Sequence, residues 1–115
     1  TTNMIIGNGL STFGLNQVVT PDYKEYSLSD AYPNPFNPTT TLSFNIPKEG
    51  HVSLNIYDMA GRLVSTLVDG NLEQGYHNIT WNSIDSNGHT VSSGMYIYVL
   101  QGEDVSITKK MVLMK

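Results

Sequence analysis

Beyond residue 39, apolar and polar positions alternate with a period of two. Leu42, Phe44 and Ile46 alternate with Thr41, Ser43 and Asn45, and Val52, Leu54 and Ile56 alternate with Ser53, Asn55 and Tyr57. Successive side chains of a strand point to opposite faces, so each run predicts a half-buried β-strand. Pro47-Lys48-Glu49-Gly50 supplies the turn between them. Asp58-Met59-Ala60-Gly61 predicts a type I turn closed by a left-handed glycine. Arg62 to Val68 reads as a third strand of mixed pattern, and Asp69-Gly70 and Gln74-Gly75 bound a loop after it. Tyr76 to Trp81 is a fourth strand with Ile79 and Trp81 on one face, and Asp85-Ser86-Asn87-Gly88 is a strong turn signal. Tyr96 to Gln101 and Val105 to Met114 predict a last hairpin, joined through Gly102-Glu103-Asp104. No window carries a 3.6-residue period. Short strands with frequent turns point to an all-β chain, an antiparallel sandwich or barrel rather than a parallel α/β fold.

The first thirty residues differ. Met4-Ile5-Ile6 is a short apolar run, and Leu10, Phe13 and Leu15 follow with Gly7, Gly9 and Gly14 between them. Glycine at that density argues against helix, so residues 1–29 read as an extended arm with one or two short strands, ending in a polar connector over 20–30. An arm this apolar is expected to pack on its own domain or on a neighbour. Residues 32–38 contain three prolines, at 33, 35 and 38. Proline lacks an N–H and holds the preceding residue extended, so this segment predicts a rigid, polyproline-like lead-in, with Tyr32 and Phe36 as apolar anchors. The domain proper is expected over residues 30–115.

Composition narrows the function. At 115 residues the chain is one domain. Net charge is −4, which gives nucleic-acid binding no electrostatic support. Residues 105–115 carry Lys109, Lys110 and Lys115 and no acid, so that end is +3 and the remainder, −4 less +3, is −7. A basic last strand on an acidic body can steer an anionic partner, or it can simply protect a sheet edge from aggregation. There are no cysteines, which removes disulfides and thiolate chemistry. No apolar run is long enough to cross a bilayer as a helix. The chain starts at Thr1 without a signal-peptide pattern, which predicts a processed or excised piece.

Candidate chemistry is sparse. His51, His77 and His89 do not have metal-ligand spacing. Asp58, Asp69 and Asp85 read as turn caps rather than an acid/base pair. Asp85 and Asn87 lack the remaining ligands of a calcium loop. No nucleophile elbow or phosphate loop is present. Neither a cofactor nor a metal is expected, and the chain reads as non-catalytic. Trp81 and the tyrosines could stack on sugars, which keeps a carbohydrate-binding or adhesion module open, although Trp81 beside Ile79 is the usual place of a sandwich core residue.

Four motifs occur in order: Tyr32-Pro33-Asn34-Pro35, Tyr57-Asp58 with Gly61-Arg62, Gly94-Met95-Tyr96, and a lysine-terminated tail from Lys109 to Lys115. Together they resemble the C-terminal sorting domains of the type IX secretion system, over about residues 30–115. Trp81, then Asp85 to Gly88, then Ser93 to Tyr96 is similar to the Ig-like domain of flagellar hook-capping proteins. Both resemblances imply an Ig-like antiparallel β-sandwich of about seven strands. The first implies an extracellular or outer-surface module of a Gram-negative bacterium. It would be read by a translocon or surface anchor through the last hairpin, making Gly94, Tyr96, Lys109, Lys110 and Lys115 the recognition candidates. The physical reading adds that lysines on one face of a late edge strand offer both charge and a site for strand addition. Tyr32, Pro33, Asn34, Pro35, Tyr57, Asp58, Gly61, Arg62, Trp81 and Gly88 would be structural.

A second function class rests on the arm. Six predicted strands are one short of an Ig-like sandwich, and an arm carrying Ile5, Ile6, Leu10, Phe13 and Leu15 could complete the sheet of the next identical subunit in a filament.

Overall fold

The computed structural model describes residues 25–115, together with the backbone of residues 6–7 and 9–10. Those two short pieces, β1 (Ile6–Gly7) and β2 (Gly9–Leu10), pair with each other. The arm candidates Ile5, Phe13 and Leu15, and the side chains of Ile6 and Leu10, lie outside the described residues.

The remaining strands are β3 (Ser27–Leu28), β4 (Thr40–Ile46), β5 (Gly50–Asp58), β6 (Leu63–Leu72), β7 (Gly75–Trp81), β8 (Gly94–Gln101) and β9 (Ser106–Leu113). Seven antiparallel strands form two sheets, in the orders β3-β4-β7 and β6-β5-β8-β9. This is the expected all-β Ig-like sandwich. Its core is the inward row of each predicted strand. Leu42, Phe44 and Ile46 of β4 meet Val52, Leu54 and Ile56 of β5, with Tyr98 and Leu100 of β8 and Met111 and Leu113 of β9. Trp81 is buried among them, edge-on to Tyr96 at 5.5 Å and tilted against Phe36 at 5.8 Å. Its indole Nε1 donates to the Ile84 carbonyl at 2.9 Å, so the one polar atom of the ring is satisfied.

Three expectations change. First, the polar connector over 20–30 contains a strand. Ser27 and Leu28 pair with Asn45 and Phe44, so the sandwich starts before residue 30, and its seventh strand comes from its own chain. Second, β6 runs on through Asp69-Gly70 to Leu72, because Ser53 and Val52 of β5 pair with those two residues. The ladder overrides the local turn signal, and Asp69 caps no turn; its carboxylate instead meets His51 across the strands at 2.9 Å. Third, the proline-rich segment is a series of bends with two single bridges, Tyr32 to Thr41 and Phe36 to Leu113, rather than a uniform polyproline stretch. Phe36 is the anchor at 2% exposure, whereas Tyr32 is 80% exposed.

Candidate recognition surface

Segment 25–38 lies along the last hairpin and is held there by side chains of the sandwich. Prolines cannot donate, so Pro33, Pro35 and Pro38 interrupt any continuous ladder, and four carbonyls of the segment meet side-chain donors. Asn45 Nδ2 donates to the Glu25 carbonyl, Tyr98 Oη to that of Ser29, Thr40 Oγ1 to that of Pro33 and Ser83 Oγ to that of Pro38. All four donor residues are buried. A buried donor without a partner is costly, so each fixes one point of the segment. Burial pushes the Tyr98 phenol up to about 12, and its proton stays on the hydrogen bond to Ser29.

Contacts to the hairpin follow in sequence. The Tyr26 ring lies on the β8–β9 turn, where a Cβ on Gly102 would fall 2.6 Å from it. Asp30 pairs with Lys109 Nζ at 2.9 Å. Asn34 Oδ1 accepts from the Val112 N–H at 3.0 Å. The Phe36 N–H donates to the Val112 carbonyl, and the Met114 N–H donates to the Phe36 carbonyl, both at 2.9 Å. The segment therefore straps the outer edge of β9 over residues 112–114.

On the hairpin itself, Gly94 begins β8 opposite Leu113, and Tyr96 sits opposite Met111. Tyr96 is 6% exposed and donates its hydroxyl to the Ser92 carbonyl, so it is a core residue rather than a surface contact. Adjacent strand residues face opposite ways, and the two lysines do not share a face. Lys109 turns inward to Asp30 with its neighbours Ile107 and Met111, while Lys110, opposite Ile97, is exposed on the outer face. The backbone N–H of Lys115 donates to Ser93 Oγ, and its side chain is exposed.

The structural motif residues form two matching turns. In Asp58 to Arg62 and again in Asp85 to His89, the first residue's Oδ1 accepts from the backbone N–H groups two and four positions on. The N–H of Gly61 and of Gly88 closes each turn onto the aspartate carbonyl, at φ 86° and 84° respectively. Arg62 Nε adds an ion pair to Asp58 Oδ2 at 2.9 Å. The backbone N–H of Arg62 holds the Asp58 carboxyl below the usual carboxylate range, and the backbone N–H of His89 does the same for Asp85. Both line an open cleft of about 710 Å³ with Met59, Leu63, Val91 and Met95. A carboxylate held as an acceptor at lowered pKa is a poor proton donor. Tyr57, just before the first turn, is half-buried in β5 between Leu63 and Ile97.

Trp81, one of the rings named for carbohydrate binding, lies in the core and is not a surface platform. The filament reading loses its missing strand to β3.

Solved structures share this architecture. Dimeric latent PorU from Porphyromonas gingivalis superposes with a TM-score of 0.60 at 20% identity, over 86% of this chain and 10% of that one. PorZ, a surface component of the type-IX secretion system of the same organism, gives 0.50 at 21% identity, over 75% and 11%. FlgD from P. aeruginosa gives 0.55 at 21% identity, over 82% and 74%. The chain thus spans about a tenth of the length of PorU and of PorZ. No curated protein matches it. The family described as the secretion system C-terminal sorting domain matches residues 30–114, from Asp30 of the strap to Met114 at the end of the last hairpin. The chain belongs to that family of sorting domains.

Proposed function

We propose that the chain is a non-catalytic module that sends the protein carrying it out through a type IX secretion system and on to attachment at the outer surface of a Gram-negative cell. The family match across nearly the whole sandwich carries this reading. The geometry supports the last hairpin as the part that is read. Its fold is fixed from both sides, by β5 and by the strap, while Lys110 and Lys115 stand in solvent. An end of charge +3 on a body of charge −7 orients the module toward an anionic partner before contact.

The test is export of a fluorescent reporter with this chain fused behind it, in a bacterium with a working type IX system and in the same strain without its translocon. The reporter is expected at the cell surface or in the medium of the first strain alone. Periplasmic retention in both strains would sink the reading.

A further inference from the structure

Alternate residues of an antiparallel strand direct their N–H and C=O to opposite sides. The strap bonds at Val112 and Met114 show that the even-numbered residues of β9 point away from β8. The outer edge of β9 therefore falls into two parts. Over 112–114 it is closed by Asn34 and Phe36. Over 106–110 the outward backbone groups of Thr108 and Lys110 meet no partner among the described residues, and β9 is the last strand of its sheet.

We propose that this open part takes a strand from a partner protein carrying acidic side chains opposite Lys110, adding a fifth strand to the β6-β5-β8-β9 sheet. The inference rests on the export reading and names the chemistry of the partner at that hairpin. Strand addition supplies backbone hydrogen bonds, and facing side chains decide which strand fits. Lys110 is exposed at the end of the open part nearest the strap, with Lys109 next to it and partly neutralised by Asp30. A second copy of this chain, added antiparallel over the same five residues, would set Ser106 opposite Lys110 and supply no acid to either lysine, so it lacks the charge complement of an acidic strand. The strap sets the register limit: Asn34 and Phe36 block the incoming strand from Val112 onward.

Two measurements test it on the full chain. In the first, amide exchange is followed by NMR as either of two short peptides is added. Both alternate valine and threonine with a charged residue, glutamate in one and lysine in the other. The glutamate peptide is expected to slow exchange at Thr108 and Lys110 by about tenfold when near saturation, and the lysine peptide to leave both unchanged. Lys110→Glu should invert that preference. Equal protection by both peptides, or none at these two amides, would overturn the proposal.

The second measurement uses proline. The Thr108 N–H is not in the β8 ladder, so Thr108→Pro should fold with an unchanged thermal midpoint, as proline is tolerated where an edge strand faces solvent. Ile107→Pro, whose N–H faces β8, should unfold the hairpin. Folded Thr108→Pro and Lys110→Glu are expected to lower reporter export about tenfold, with Lys110→Arg near wild type. Normal export of Thr108→Pro would discard the added strand while leaving the export reading intact. Should the wild-type reporter stay inside, the export reading fails and the peptide measurement alone decides the edge.

Discussion

The central strands and the strap are built from opposite materials. Strands β4, β5 and β8 are held by continuous ladders and by inward rows in which Leu42, Ile46, Val52, Leu54, Ile56, Tyr98 and Leu100 are wholly buried. Each such aliphatic side chain contributes about 1.5–3 kcal/mol through burial. Segment 25–38 has only Leu28, Ala31 and Phe36 in the core, and it makes few ladder bonds. It is instead held by hydroxyl and amide donors that the sandwich keeps buried: Asn45, Tyr98, Thr40 and Ser83. Polar residues inside this core therefore have a definite task. They fasten a proline-rich chain that makes few ladder bonds of its own, and that chain in turn closes the far end of the last strand's edge.

The sharpest way to break this comparison is Phe36→Ala. If the strap is part of the core, unfolding in denaturant should show a loss of about 3–5 kcal/mol, matching the roughly 2–5 kcal/mol expected for Leu54→Ala in the central frame. A loss below about 1 kcal/mol would make the strap a mere surface cover.

Next comes Thr40→Val, which keeps the shape but leaves the Pro33 carbonyl without its donor. It should cost about 1–3 kcal/mol, whereas Thr41→Val, on a half-buried face, should be near neutral.

Tyr98→Phe should cost about 1–2 kcal/mol at neutral pH by orphaning the Ser29 carbonyl. It also has a pH signature. The phenol's folded pKa is raised from 10.0 to about 12, so its contribution is whole below pH 10 and is lost as pH rises from 10 toward 12. The Phe variant should show a flatter alkaline stability profile over that window, and an unchanged slope would mean that Tyr98 does not titrate as its burial requires.

Asn34→Ala should cost about 1 kcal/mol and speed amide exchange at Val112 without touching the β8 ladder. The smallest effect belongs to Lys109→Ala. Its partner Asp30 is largely exposed, so the loss should stay within about 0–1 kcal/mol and shrink further with added salt.

Much of this was legible in the chain. The period-two rows of β4 and β5 name core positions directly, because a strand's faces alternate whatever it packs against. The two Asp-x-x-Gly turns were equally clear, since a short carboxylate and a residue free to take positive φ define that turn locally. The opposite facing of Lys109 and Lys110 follows from adjacency in a strand, and reading both on one face neglected it. β3 could not be seen: two residues, only one of them buried, carry no periodicity. The length of β6 was hidden too, because its pairing with β5 carries the strand across an aspartate and a glycine that locally favour a turn.

By itself the sequence determined the all-β class, most strands, both turns and the sorting-domain kinship. These are consequences of local alternation, turn chemistry and ordered motifs. Only the tertiary structure decided which of Tyr32 and Phe36 is the anchor, why Thr40, Asn45 and Ser83 are buried, and where the edge of β9 is open. The hydrogen bond from Val112 to Asn34 joins positions 78 residues apart. Nothing in either local stretch encodes such a contact; it exists because the folded sandwich brings the proline-rich segment, and Asn34 with it, alongside the last strand.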